Sequence, residues 1–254
     1  MFQRFLASVG IGAAKVDTVL QRDEWAVGEE VKGIVHIAGG AVEQNVDSIY
    51  LTLSTTYTRE SDDRKVSITQ DLAKIRLTDP LVIKPGEKRE VPFSFTLPIE
   101  TPLTFGLKKV WIRTGLDIKH SMDPSDTDYI QVLPGTLMSD VMQAVQSLGF
   151  RLRQAECEEL PHRLRGRVPF AQELEFLPVS GPFYRKLDEL ELLVFPRSLN
   201  ELEFIMEIDR KAKGLAGLFS EALDLDETRV RFTVTPSDVA TLAHRLEQMI
   251  KKYC

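Results

Sequence analysis

Four histidines and two cysteines are the residues best suited to nucleophilic, acid–base or metal chemistry in this chain. Their positions do not favour such chemistry, because no triad or ligand spacing relates the histidines, which lie at His36, His120, His162 and His244. Cys157 lies in a predicted strand without a histidine or basic residue placed to activate its thiol. With Cys254 it gives neither a disulfide framework nor a metal-binding spacing. We therefore predict solvated surface histidines and an inert thiol.

Three aspartates, Asp123, Asp126 and Asp128, could supply oxygen ligands to calcium, but their spacing differs from that of an EF-hand loop. The segment Asp123-Pro124-Ser125-Asp126 instead predicts a solvated acidic β-turn. The sequence also lacks a phosphate loop, a dinucleotide fingerprint, a zinc motif and a nucleophile elbow. We therefore predict a protein that is not an enzyme and that has no cofactor and no bound metal.

A basic cluster is the second candidate for binding chemistry. It lies in a predicted loop between strands, flanked by Pro161 and Pro169, and consists of His162, Arg163, Arg165 and Arg167. Such a cluster could hold a phosphate, an acidic partner or a lipid head group. It could equally offset the acidic residues that precede it, Glu156, Glu158 and Glu159. The sequence leaves both interpretations open.

The segment 110–119 predicts a strand with two different faces. Alternate residues of a strand point to opposite sides, so one side is apolar and consists of Val110, Ile112, Leu116 and Ile118. The other side carries one aromatic and three charges, Trp111, Arg113, Asp117 and Lys119. Trp and Arg are enriched in recognition surfaces. This side is therefore a candidate partner-binding face or, alternatively, a face between lobes with Trp111 covered and Arg113 paired with Asp117.

The elements around these candidates predict a mainly β protein with two lobes. Apolar and polar residues alternate in four segments, 31–37, 49–57, 91–97 and 110–118, and each alternation predicts a strand. With glycine or proline turns between them, these strands indicate an antiparallel sandwich over 1–134. Pro92 within its strand indicates an edge position or a bulge. We predict three regions: an N-terminal sandwich (1–134), a connecting helix (135–149) and a β-rich C-terminal lobe that ends in a helix (150–254).

Two helices are predicted from three- and four-residue spacing. In the connecting helix Thr136 is the predicted N-cap and Gly149 follows the last turn. Thr235-Pro236 opens the C-terminal helix, whose apolar stripe is Val239, Leu242, Leu246 and Ile250. Because this stripe needs a partner surface, we predict a possible homodimer. Residues 2–9 predict a short terminal helix that either docks on its own domain or binds a membrane or a partner.

Composition excludes several classes of protein. The chain has 254 residues and a net charge of −6, which argues against general binding to nucleic acid or to an anionic membrane. Apolar runs stay well below the ~20 residues needed for a transmembrane helix. We predict a cytoplasmic protein.

Long segments of the chain resemble a known family, the bacterial sporulation-control proteins of the Spo0M type. The similarity is dense over residues 1–134 and is carried by 6–18, 31–53, 91–98 and 110–132; it continues more thinly through 148–153, 169–176 and 209–210. The resemblance implies an arrestin-like fold and a role in the control of entry into sporulation by a regulator without a catalytic site. It implies no individual functional residue.

Two functions of different class follow from these observations. The first is a non-catalytic regulatory or scaffold protein that binds other proteins in control of sporulation or the cell cycle; fold alone would not establish this. The alternative is a carrier or sensor of a small ligand between the two lobes, which a large apolar cleft would favour.

Overall fold

The computed structural model describes residues 13–61, 64–107, 109–118, 123–209 and 229–253, which divide into two compact units. Unit 1 comprises the described residues of Met1–Thr55, Asp71–Thr101 and Gly106–Val132. Unit 2 comprises those of Thr56–Gln70, Pro102–Phe105 and Leu133–Cys254. The units are therefore not continuous stretches of chain, and the predicted domain bounds stay a prediction.

In the described residues, nine strands precede the connecting helix, and three of them, β4, β5 and β9, have residues in both units. They are β1 (Lys15–Leu20), β2 (Glu24–Ala26), β3 (Glu30–Ala38), β4 (Gln44–Ser61), β5 (Arg64–Arg76), β6 (Leu81–Ile83), β7 (Lys88–Thr96), β8 (Val110–Ile118) and β9 (Ser125–Leu133). Their predicted alternation is confirmed in the inward residues, since Val35, Leu51 and Ile112 are fully buried.

Unit 1 contains a three-stranded sheet of order β1-β3-β7 and a second sheet in which β4, β8, β9 and β2 are neighbours. Both β1 and β7 pair with β3 in antiparallel register. Pro92 lies in β7, which is an edge strand of its sheet, one of the two placements predicted for it. Thr18 of β1 and Thr114 of β8 join the two sheets through their hydroxyls, whose oxygens are 2.6 Å apart.

The predicted acidic turn at 123–126 is wrong, because Ser125 and Asp126 already belong to β9. They pair with Gly115 and Thr114 of β8. The two acidic side chains bond to backbone: Asp123 accepts the Ile118 N–H at 3.0 Å and Asp126 accepts the Thr18 N–H at 2.7 Å. The register of the hairpin, rather than local turn chemistry, decides where β9 begins.

Unit 2 has an antiparallel sheet of order β14-β13-β12-β11-β10. Its strands are β10 (Phe150–Glu159), β11 (Phe170–Pro178), β12 (Glu189–Ser198), β13 (Glu201–Asp209) and β14 (Arg229–Val234), and its α-helices are α1 (Thr136–Ser147) and α2 (Leu242–Lys251). Both helices pack into one apolar cluster with one face of the sheet, around Phe176, Leu192 and Phe204. The opposite face of the sheet carries glutamates and a smaller apolar cluster of Leu160, Ala171 and Leu193.

The connecting helix has the predicted apolar face, but its N-cap is not the residue that was predicted. Thr136 is the first helical residue, and Gly135 precedes it as N-cap without a side-chain hydrogen bond, so the prediction of a Thr136 cap is wrong. Val141 and Val145 are fully buried. Gly149 follows the helix with φ +91°, a conformation that favours glycine.

The C-terminal segment begins as a 3₁₀ helix, Pro236–Thr241, and continues as α2. Asp238 accepts the Thr235 N–H at 2.8 Å, which satisfies one of the free donors at the start. Leu242, Leu246 and Ile250 are buried within unit 2 itself. The apolar stripe therefore already has a partner surface within unit 2, and the homodimer stays a prediction.

Several predictions fall outside the described residues, among them the terminal helix at 2–9, Lys119 and His120. In the described part of the chain, none of the helices has the length and hydropathy to span a membrane.

Candidate functional site

The candidate face on β8 has the predicted polarity. Val110, Ile112, Leu116 and Ile118 are all buried. On the opposite side Trp111 is partly buried, whereas Arg113 and Asp117 are exposed. The alternation therefore separates a buried side of β8 from an accessible one, and the accessible side holds the described candidate residues.

A second aromatic residue lies beside Trp111. Tyr129 of β9 is directly opposite it in the β8–β9 register. The two ring centroids are 6.0 Å apart, and the ring planes are inclined at 51°. This is a tilted arrangement typical of favourable aromatic pairs. Tyr129 is 50% exposed, so the pair presents an aromatic surface to solvent.

A third aromatic residue, Tyr50 of β4, lies over Gly115 of β8. The two residues are opposite each other, and a Cβ at position 115 would lie 2.6 Å from the Tyr50 ring. Glycine therefore gives the ring the space to lie against the strand. The Lys74 ammonium lies 4.3 Å from the centre of the same ring, in a cation–π contact. We name Tyr50, Lys74, Trp111, Arg113 and Tyr129 the aromatic face.

The cations of the aromatic face have weak partners. Arg113 donates to the Ser125 hydroxyl at 3.5 Å, at the limit of a hydrogen bond. Lys74 contacts the Tyr50 ring. Neither contact neutralises a positive charge. Aromatic surface next to cations of this kind suits recognition of another molecule. Sequence reasoning missed Tyr50, Lys74 and Tyr129, because only the pairing of β4, β5, β8 and β9 brings them to the outward side of β8.

The basic cluster is partly neutralised within unit 2. Arg165 forms an ion pair with Glu159 at 2.8 Å and also donates to the Leu160 carbonyl at 2.8 Å. Glu159 in turn pairs with Arg59 through two hydrogen bonds. His162, Arg163 and Arg167 are exposed. Arg165 therefore offsets a nearby glutamate, as one of the two interpretations predicted. A binding role for His162, Arg163 and Arg167 stays a prediction.

Two of the three aspartates considered for calcium lie on the inward side of β9. Asp128 is opposite the buried Ile112, and Asp126 is opposite the buried Thr114. One carboxylate oxygen of Asp128 is buried without a hydrogen-bond partner among the described residues. Burial, followed by the nearby charges of Asp126 and Asp17, raises the pKa of Asp128 to about 6. Asp128 is therefore a group that takes up a proton in mildly acidic conditions.

Sequence reasoning also missed a buried cluster of acids on the outer face of the unit 2 sheet. We name it the glutamate cluster; its members are Glu156, Glu158, Glu173, Glu175, Glu189, Glu191 and Glu207. Ordinary alternation predicts solvated side chains at such positions, but Glu173, Glu189, Glu191 and Glu207 are only 4–7% exposed. Burial is the main cause that raises the pKa of Glu173 and of Glu191. In the described part of the chain, no three His, Cys, Asp or Glu side chains are placed to share a metal ion.

A model of the Spo0M family, described as SpoOM protein, matches residues 2–212 of the chain. This chain belongs to the Spo0M family. The sporulation-control protein spo0M of Bacillus subtilis (strain 168) is 43% identical to it over 255 residues, which cover 99% of this chain and 98% of that protein. A crystal structure of Spo0M, sporulation control protein, from Bacillus subtilis matches with a TM-score of 0.86 and 39% identity, over 96% of this chain and 100% of that one.

Membership of the Spo0M family confirms the resemblance predicted from the sequence. The match to the Spo0M crystal structure also confirms the predicted class, a mainly β, arrestin-like fold with two helices. The roles predicted for the aromatic face and for the basic cluster of this Spo0M family member stay predictions.

Proposed function

We propose that this Spo0M family member acts in the cytoplasm as a non-catalytic regulator of sporulation that binds a partner protein through the aromatic face. Its relative in Bacillus subtilis is named a sporulation-control protein, which supports the biological role. The observation that carries the binding proposal is the Trp111–Tyr129 pair, two large aromatic side chains adjacent on a strand face with Tyr129 half exposed. Buried against a partner, such side chains supply much of a typical binding energy.

The charges of the aromatic face select the chemistry of the partner. Arg113 and Lys74 contact a hydroxyl and an aromatic ring rather than a carboxylate, among the described residues. A partner segment that carries aspartate or glutamate beside an apolar side chain would pair with these cations and cover the aromatic rings. The proposed partner is therefore a protein with an acidic surface segment.

Charge reversal at Arg113 tests the proposal. In Arg113→Glu the exposed side chain changes sign on the aromatic face, while the buried side of β8 is untouched. We expect the variant to melt like wild type and to lose affinity for the partner by about tenfold or more, as at an interface hot spot. The partner is captured by cross-linking in growing and in sporulating cells, identified by mass spectrometry, purified and titrated with each variant.

Two matched variants serve as controls. Lys88→Glu makes the same reversal at another exposed strand residue of unit 1 and should leave partner binding unchanged. Arg163→Glu makes it in the basic cluster. If Arg113→Glu keeps every partner of wild type with unchanged affinity, the aromatic face is not the binding surface. If only Arg163→Glu loses the partner, binding belongs to the basic cluster.

A further inference from the structure

The glutamate cluster places like charges directly opposite one another. Glu175 of β11 is opposite Glu191 of β12, and Glu191 is opposite Glu207 of β13. Glu173 lies two residues before Glu175 on the same face of β11, diagonal to Glu191. Opposed like charges destabilise a sheet, and the low exposure of Glu173, Glu191 and Glu207 leaves little water to screen them. Either neighbouring cations or bound protons must therefore reduce the repulsion between the carboxyl groups of the glutamate cluster.

Three described cations contact the glutamate cluster, but none of them forms an ion pair with Glu173 or Glu191. Arg153 contacts Glu175 and Glu189, Arg229 contacts Glu207, and Lys65 of β5 contacts Glu158. Arg197 and Arg231, at the margin, both pair with Glu203. Glu60 adds a further negative charge near Glu158. Among the described residues, neither Glu173 nor Glu191 forms an ion pair with one of these cations, so ionisation of both would place two neighbouring negative charges in a poorly hydrated place.

Glu173 and Glu191 lie diagonal to each other on neighbouring strands, and they are only 5% and 7% exposed. An ionised carboxylate can only accept a hydrogen bond, so the two groups can bond to each other only when one of them holds a proton. The Oε2 atom of Glu191 is buried and has no partner among the described residues. A second ionised group at this position would therefore face a neighbouring carboxylate without a donor to stabilise it.

We propose that Glu173 and Glu191 share one proton in the folded protein at neutral pH, and that loss of this proton as the pH rises loosens strands β11 to β13. The pair is a proton-linked switch built into unit 2. Two carboxyl groups that share one proton because they cannot both ionise are a known arrangement in other proteins.

The direction of the pH dependence follows from the raised pKa of each group. The folded state binds the shared proton more tightly than the unfolded state, in which glutamate has its ordinary pKa near ~4.3. The contribution of this pair to the stability of the strands is therefore fully present below that value and falls as the pH rises above it. For one excess proton, the equilibrium constant between closed and open strands falls about tenfold per pH unit.

Hydrogen exchange of peptides from β11, β12 and β13 measures this constant, after correction for the intrinsic exchange rate at each pH. The wild type should lose protection with rising pH by up to about tenfold per unit, around and above neutrality. In Glu173→Gln a neutral side chain of the same shape replaces the protonated acid, so protection should be higher at alkaline pH and its slope should be nearly flat. Glu201→Gln, at an exposed position of β13, should keep the wild-type slope.

Equal slopes in wild type and Glu173→Gln would overturn the proposal, as would a wild type without any slope. A second measurement does not depend on the folding of a variant. The infrared spectrum of wild type at neutral pH should contain the C=O band of a protonated carboxyl group, and this band should disappear as the pH is raised. Absence of the band at neutral pH would also overturn the proposal.

Discussion

Replacement of Asp128 by asparagine tests the electrostatics of the unit 1 interior. The carboxyl group lies on the inward side of β9, near Asp126 and Asp17, and its pKa is raised from 3.8 to about 6. A pKa shift of about two units corresponds to a change of ~3 kcal/mol in the free energy of unfolding, at ~1.4 kcal/mol per unit. Asp128 is only partly buried, and solvent screening reduces this by about half, to ~1–2 kcal/mol.

The sign of the effect is set by the raised pKa. The folded state holds the Asp128 proton more tightly than the unfolded state, so ionisation destabilises unit 1 as the pH rises from about 4 to 6. The amide of an asparagine at this position would be neutral at every pH and could still donate to Asp126. We therefore expect Asp128→Asn to stabilise unit 1 by ~1–2 kcal/mol near pH 7.5 and to have almost no effect near pH 4.

Tryptophan fluorescence during urea unfolding is the appropriate assay, because both tryptophans of the chain, Trp25 and Trp111, lie in unit 1. Asp117→Asn removes an exposed charge from neighbouring β8 and should change stability little at either pH. A gain of equal size at both pH values would show that ionisation of Asp128 is not the cause. A loss of stability near pH 7.5 would refute the assignment of Asp128 as a destabilising buried acid.

Two further predictions concern unit 2, where circular dichroism and hydrogen exchange replace tryptophan fluorescence. Leu246→Ala removes a buried side chain of α2 and should cost ~2–5 kcal/mol, whereas Gln248→Ala, at an exposed position of the same helix, should cost little. Equal effects would show that the stripe is not part of the core. Gly149→Ala should cost at least ~1–2 kcal/mol, because its φ is +91° and the new Cβ would collide with the Ser180 carbonyl. An unchanged unfolding midpoint would contradict that geometry.

The sequence alone predicted which side of each regular element is buried. On β8 the two-residue period assigned Val110 and Ile112 to the core, and on α2 the helical spacing assigned Leu246 and Ile250. These assignments succeed because strand and helix periods are properties of the local backbone. The same local information identified Trp111 and Arg113 as one face of the candidate site.

Only the tertiary structure decided which residues from distant segments share a surface. Tyr129 lies beside Trp111, Asp128 faces inward, and Glu191 lies between Glu175 and Glu207, all through strand register. Register depends on how strands far apart in the chain fit their buried faces together, so a short segment does not specify it. For the same reason the sequence did not reveal the glutamate cluster, which forms because the pairing of β11, β12 and β13 buries these acids next to one another.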